Sequence, residues 1–296
     1  MKGFVTLAVG NEKYYRLAEN LLKSYKYKTS DPMPFAIVAD RCNEVTQQFD
    51  KVVLLDKPTC SYMDKLEMLN HPPFDENIFI DADCLVYGNI NQYWNHFPAK
   101  GVTCFGKSLP LTSHDGWFMI DDIGAYKNKI SFIPQLHGGI IFFNDDDLTR
   151  YIYSLAVTIS ENYSQYRFKY FDEPADEPVL ALSMAVNQSL PIELSIEEQQ
   201  RAFLFYPTAE KIHMDIRKGL SYLNRKGEWI DNVLLLHWQN VNTETPKYRM
   251  EIRRLDKNHP ECFMYIHLFL DYLYYYAQKS LFRILGGLKR RIRWKE

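Results

Sequence analysis

Short apolar runs alternate with helical patterns through the first half of the chain. Residues 4–9 are apolar apart from Thr6 and end at Gly10, as expected of a strand covered on both faces. Residues 14–25 follow, with Tyr15, Ala18, Leu21, Leu22 and Tyr25 at helical spacing. Residues 34–39 read as a second strand ending at Asp40, and 52–55 as a third. Ser61 can cap a helix carrying Lys65, Leu66, Met68 and Leu69, which Pro72-Pro73 ends. Residues 78–80 then form an apolar strand that runs straight into Asp81-Ala82-Asp83 and continues apolar through Val86. Beyond it, 101–106 and 138–143 read as strands, 152–159 and 177–186 as helices. Residues 233–236 read as a strand closing at His237-Trp238.

Strands alternating with helices predict an α/β fold around one parallel, doubly wound sheet. Ligands of such sheets sit beyond the carboxyl ends of the strands. Gly10-Asn11, Asp40 and Asp81/Asp83 all fall at such ends, so they are expected to share one crevice.

The chain's 296 residues suffice for one large domain or two small ones. Its net charge is only −2, which argues against a dedicated nucleic-acid binder. That total hides an asymmetry. From Lys279 onward seven basic residues stand against Glu296 alone, giving this stretch +6 and leaving −8 on the rest. The five cysteines are odd in number and none forms a Cys-x-x-Cys pair, so a reducing compartment is the simplest reading. No signal-peptide pattern opens the chain, and a cytoplasmic location is expected.

Side chains at i and i+2 of an extended chain point the same way, so Asp81 and Asp83 can address one point. Two carboxylates suit Mg²⁺ or Mn²⁺, and either ion can bridge them to a diphosphate. A polar turn between strands is the plain alternative. A second acidic string, Asp145-Asp146-Asp147, looks instead like a helix start. His237 ends a strand as Asp81 does, and a neutral imidazole can complete such a metal site or serve only as a hydrogen-bonding residue. Before the strand at 140–143 stands His137-Gly138-Gly139, where paired glycines admit a ligand close to the backbone or make an ordinary loop. Asp176 and Glu177 open a helix with Pro178 in its first turn, so the default role of the acids is capping. Lys65 is either solvated or a phosphate or sugar contact. P-loop, dinucleotide-fingerprint and serine-elbow strings are absent.

Taken in order, these segments resemble GT-A-fold glycosyltransferases, most closely the family-8-like retaining enzymes related to lipopolysaccharide galactosyltransferases and glycogenin. Residues 79–86, Phe-Ile-Asp-Ala-Asp-Cys-Leu-Val, are similar to the family's Asp-x-Asp segment, and 137–144 to its Asn-x-Gly segment. Residues 176–180, Asp-Glu-Pro-Val-Leu, are similar to its Asp-Gln-x-x-Leu motif, and 236–238 to its late metal histidine. The chain departs by carrying His137 for Asn, Glu177 for Gln, and Gln239-Asn240 for a glycine-containing loop. The resemblance implies a mixed, mainly parallel Rossmann-like sheet over residues 1–255. It implies Mn²⁺ or Mg²⁺ on Asp81, Asp83 and His237. It implies a nucleotide-sugar donor, most simply a UDP-sugar, held by Ala8, Val9, Asn11, Asp40, Lys65, Asp81, Ala82, Asp83, His137, Gly138, Gly139 and Lys247. Asp176 and Glu177 would act at the sugar. A sugar nucleotidyltransferase and a non-catalytic glycan- or membrane-binding protein are the competing readings. The first expects a Gly-rich basic loop after strand one, which Gly10-Asn11-Glu12-Lys13 lacks.

On the acceptor side, a glycan or lipid-linked sugar is expected. His114-Asp115-Gly116-Trp117-Phe118 reads as an exposed loop whose aromatics and carboxylate suit sugar recognition or simple packing. Residues 256–296 form a separate extension, with an aromatic helical pattern over 262–285 and then Lys289–Lys295. That pattern is too interrupted to span a membrane and suits an anionic membrane surface.

Overall fold

Six strands form the central sheet, in the order Lys51–Leu54, Phe35–Ala39, Lys2–Ala8, Glu76–Ile80, Ile133–Asn144 and Val102–Leu109. The computed structural model describes residues 1–205, 212–225, 228–256 and 261–293. In chain order the elements of the first half are β1 (Lys2–Ala8), α1 (Glu12–Lys28), β2 (Phe35–Ala39), β3 (Lys51–Leu54), α2 (Glu67–Asn70), β4 (Glu76–Ile80), β5 (Cys84–Val86), β6 (Val102–Leu109) and β7 (Ile133–Asn144). Then come α3 (Asp147–Glu161), α4 (Asp176–Val186), α5 (Ile196–Ala202), β8 (Phe203–Phe205), β9 (Ile212–Asp215), β10 (Leu220–Arg225), β11 (Glu228–Ile230), β12 (Leu235–His237), α6 (Gln239–Asn242), α7 (Pro246–Leu255) and α8 (Glu261–Arg293). β1 to β4 are mutually parallel, whereas β7 runs antiparallel to both β4 and β6. The sheet is therefore mixed and mainly parallel.

The continuous apolar strands are explained by two cores. Phe4, Ile78, Ile80, Ile140 and Phe142 face one side with α1, while Val5, Phe79, Ile141 and Phe143 face the other with α3 and α4. Successive residues thus alternate between two buried faces, so the strands are apolar almost throughout, with Thr6, Asn77 and Thr103 as buried polar exceptions. α4 is buried nearly all round, from Pro178 to Ala185. As the sequence suggested, Asp146 caps α3 by accepting from the Thr149 N–H at 2.8 Å.

Several elements differ from expectation. Lys65 lies not in a regular helix but in a 3-10 turn, Tyr62–Leu66, ahead of the very short α2. Asp64 accepts from the Thr59 N–H at 2.8 Å and its hydroxyl at 2.7 Å, which tightens this turn. The expected strand at 233–236 forms as Leu235–His237. β5, β12 and β8 make a second, small sheet that sequence periodicity did not announce, because three-residue strands carry too few alternations. β9, β10 and β11 form a third, antiparallel sheet.

The C-terminal helical pattern forms as the single helix α8. Asp271 is its buried tether, paired with Arg253 and, at 3.6 Å, with Arg249 of α7. Residues 294–296 and the side chains of the basic cluster fall outside the described residues. Among the described residues no helix is long and apolar enough to cross a membrane.

Phe4 is fully buried against Tyr25, Phe35 and Trp94, with ring centroids 5.1–5.8 Å away. Phe4→Ala is expected to cost about 3–5 kcal/mol. Urea denaturation should show the midpoint fall with an unchanged slope.

Candidate active site

The register between β5 and β12 brings His237 to the Asp-x-Asp segment. Cys84 lies opposite His237 and Leu85 opposite Leu236, while the Trp238 N–H donates to the Asp83 carbonyl at 3.1 Å. His237 Nε2 consequently stands 3.0 Å from Asp83 Oδ1 and 3.9 Å from Asp81 Oδ2. Burial pulls the imidazole's pKa down, but Asp83 and Asp81 outweigh it and hold the pKa above its ordinary value.

Ligand atoms of Asp83, Cys84 and His237 all lie within 4.8 Å of one another. Cys84 is a poor partner for a hard cation, because its thiol is fully buried and burial raises its pKa. Asp81 offers the better third group: burial raises its carboxyl toward protonation, against the pull of Lys65 and His237. Two carboxylates and one imidazole in a partly buried site fit Mn²⁺ or Mg²⁺ by donor chemistry.

Lys65 is the hub on the other side. Its Nζ lies 2.7 Å from Asp176 Oδ2, 3.1 Å from Asp81 Oδ1 and 3.3 Å from the Gly138 carbonyl. Burial alone would lower its pKa, yet Asp176 and Asp81 together hold it well above the usual lysine value. Lys65 is therefore a fixed cation bound to two carboxylates.

At the start of α4 the default capping role does not hold. The N-cap is Ala175, without a side-chain cap bond. Asp176 turns to Lys65, and Glu177 Oε1 accepts the Gly138 N–H at 2.7 Å. Burial, helped by the Asp176 charge, pushes Glu177 up to about 7. The paired glycines serve this contact. A Cβ on Gly138 would lie 2.7 Å from Glu177 Cγ, and one on Gly139 would meet the Phe203 ring. Their missing side chains admit a carboxylate and an aromatic ring of the protein itself.

Val9, Asn11, Lys65, Asp81, Ala82, Asp83, His137, Asp176, Glu177 and His237 all line one cleft of about 1690 Å³. Burial, then the nearby His237, lowers the pKa of His137. Asn11 also caps α1 by accepting the Lys13 N–H. Ala8 is fully buried in β1, and Gly138 and Gly139 are buried behind the cleft wall. Asp40 braces the floor instead of lining it, accepting from the Gly10 N–H at 3.2 Å and from the Tyr15 hydroxyl. Lys247 sits in the first turn of α7, outside the cleft lining. Gln239 lines the cleft at φ +54°, the left-handed region that glycine enters most easily.

Sequence reading missed Tyr14, Cys60, Tyr62, Phe203 and the Tyr170–Glu173 segment of the lining. For the last there was a signal, since these residues immediately precede Asp176. Of the 114–118 loop, Asp115, Gly116 and Trp117 do reach the cleft, whereas Phe118 is fully buried.

With this fold and arrangement the protein has the GT-A glycosyltransferase fold. It is similar to the galactosyltransferase LgtC solved with donor and acceptor sugar analogs: 14% identity, 89% of this chain and 99% of that one, TM-score 0.52. An active-site mutant of LgtC matches with the same values. The bifunctional glycosyltransferase WbbM in its apo form is similar at 12% identity over 90% of this chain and 51% of that one, TM-score 0.51. At such identities the likeness is one of fold. No family model and no curated protein matches the chain.

Glu177 gives the site a pH signature. A carboxyl raised in the folded state contributes stability present below its unfolded pKa of 4.5 and lost as pH rises through about 7. The shift corresponds to about 3 kcal/mol. In chelator-treated, ligand-free protein, Glu177→Gln should gain about that much relative to wild type between about pH 4.5 and 8. Thermal or urea melts across that range check it, and a constant difference would reject the assignment.

Proposed function

We propose that the chain is a metal-dependent glycosyltransferase that moves a hexose or related sugar from a nucleotide-diphosphate sugar, most simply a UDP-sugar, to a glycan or glycolipid. One observation carries this reading. Asp81 and Asp83 meet His237, from far along the chain, beside Lys65, Asp176 and Glu177 at the carboxyl end of a GT-A sheet. The resemblance of the same segments to family-8-like enzymes supports retention at the anomeric carbon.

Asp81, Asp83 and His237 would hold Mn²⁺ or Mg²⁺, and the bound ion would supply positive charge to a leaving diphosphate. The protein's own groups do the rest. Lys65 fixes the orientation of Asp81 and Asp176. Asp176, buried in the cleft wall and paired with Lys65, is suited to hold sugar hydroxyls. Glu177, poised near neutrality and held by the Gly138 N–H, faces the cleft where it can accept a hydroxyl proton or stabilise a cationic sugar carbon. The nucleotidyltransferase alternative is disfavoured by the first loop. Its Gly10 N–H is taken by Asp40 and its Asn11 caps α1, so a phosphate finds few open amides there.

The helix α8 supports a place at a membrane surface on the cytoplasmic side. One face is tethered through Asp271 and buried Met264, while Phe263, Ile266, Phe269, Leu270, Leu273 and Tyr274 are each more than half exposed. Tyrosines and an apolar stripe followed by basic sequence match an interfacial helix, with about 1 kcal/mol expected per basic residue near anionic lipid.

Two experiments test these readings. A panel of nucleotide sugars should show Mn²⁺-stimulated release of nucleoside diphosphate, abolished by EDTA. Asp83→Ala should lower it by at least about 100-fold while circular dichroism stays native. No turnover with any donor would reject the transferase reading. For α8, the full chain should co-sediment with vesicles containing anionic lipid, and a chain ending at residue 257 should not. Equal behaviour of the two would remove the membrane from the account.

A further inference from the structure

We propose that an aromatic platform on the cleft rim, formed by Tyr62, Trp117, Tyr170 and Phe171, is the acceptor subsite, and that it takes the apolar face of a neutral pyranoside. This rests on the sugar-transfer reading of the cleft and deepens it.

The four rings form one contiguous surface. Trp117 lies 6.1 Å from Tyr170 and 5.8 Å from Phe171, and Tyr62 lies 6.4 Å from Phe171, measured between ring centroids. All four line the same cleft as Asp176 and Glu177. Trp117 and Phe171 rest half-buried on the second core and anchor the surface, whereas Tyr62 is 63% exposed and Tyr170 is 85% exposed, although each carries a large apolar area.

The platform is built, not accidental. Two loops distant in sequence are zipped together beneath it: Phe118 pairs with Phe168 as an antiparallel bridge, and the Lys169 N–H donates to the Trp117 carbonyl at 2.8 Å. The Lys169 ammonium closes the other end on the His114 carbonyl. Fully buried Phe118 anchors the pair. Tyr170 itself sits at φ +69°, a left-handed conformation that is costly for any residue with a Cβ. That strain presents a ring to solvent and gains no packing of comparable extent, which is the pattern of a binding residue.

Chemistry selects the ligand. A pyranose offers a face of C–H groups for stacking and an edge of hydroxyls. Asp115, Asp172 and Glu173 line the cleft beside the rings and can accept from hydroxyls, whereas the nearby Lys169 is already engaged by backbone. These three carboxylates outnumber the cleft-lining Lys107 and the nearby Lys169, so the rim disfavours anionic sugars. Position completes the argument: the segment 170–173 runs directly into Asp176 and Glu177, so a sugar stacked there stands next to the groups assigned to the donor sugar.

Saturation-transfer NMR on the full-length protein, with and without UDP, would use methyl β-galactopyranoside, methyl α-glucopyranoside and methyl β-N-acetylglucosaminide as probes. Methyl β-glucuronide serves as the anionic comparison. At least one neutral glycoside should bind, the glucuronide should not, and Tyr170→Ala and Trp117→Ala should each weaken binding by about tenfold. Tyr170→Phe, which keeps the ring, should bind like wild type. Tyr151→Ala, an exposed tyrosine outside the cleft, is the control. Where turnover is measurable, Tyr170→Ala should raise the acceptor KM and leave kcat within about threefold. Absence of glycoside binding, or binding indifferent to both ring deletions, overturns the proposal. Glycoside binding without nucleotide-sugar turnover would instead reject the transferase reading and leave the platform standing.

Discussion

A single ammonium group, that of Lys65, holds the candidate site together. It lies within 3.4 Å of Asp81, Asp176 and the Gly138 carbonyl, which belong to the end of β4, the start of α4 and the strand β7. Without it Asp176 would be buried with no counter-charge and Asp81 would keep only His237 at 3.9 Å, a loss of about 3–5 kcal/mol for such a network. Its own charge is held by the same partners. The triad therefore fixes how α4 meets the sheet, and with it the direction in which Glu177 points. The tight turn before α2 matters for the same reason, since it delivers Lys65 to this point.

The second constraint is space. Gly138 and Gly139 remove two side chains where α4 and Phe203 approach β7. The approach is close enough for the Gly138 N–H to reach Glu177, and the resulting burial is what lifts that carboxyl toward neutrality. Electrostatics and packing are thus one design. The glycines allow the helix start to dock, docking desolvates two acids, and Lys65 compensates one of them while leaving the other poised.

Around this rigid centre the fold divides its labour. The two-sided core of the central sheet carries the stability, and α3 and α4 close one face of it. The cleft walls come from irregular segments, the loops at 110–118 and 166–175, whose positions are set by backbone pairing and buried phenylalanines. Such segments can change their exposed side chains without disturbing the core, which is where a protein of this architecture sets ligand choice.

Much of this was legible along the chain. Continuous apolar runs ending in Gly10, Asp40 and Asp81 marked the strands and their carboxyl ends, because burial on both faces leaves a strong local signature. Asp81 and Asp83 were recognisable through their i, i+2 spacing, and Asp146 through its place at a helix start. Tertiary structure decided the rest. His237 reaches Asp83 only through the β5–β12 register, and three-residue strands encode no register by themselves. For Asp176 and Glu177 local sequence alone offers capping, and only the family resemblance points to the sugar, because sequence shows the helix start but not the lysine and the glycine amide that claim them. For Lys65 the sequence leaves a solvated lysine and a ligand contact both open, since a lysine's burial depends on carboxylates 16 and more than 100 residues away. The aromatic rim was half visible at Trp117 and invisible at Tyr62 and Tyr170. Exposure of a ring is a property of the assembled surface, and no local pattern of residues records it.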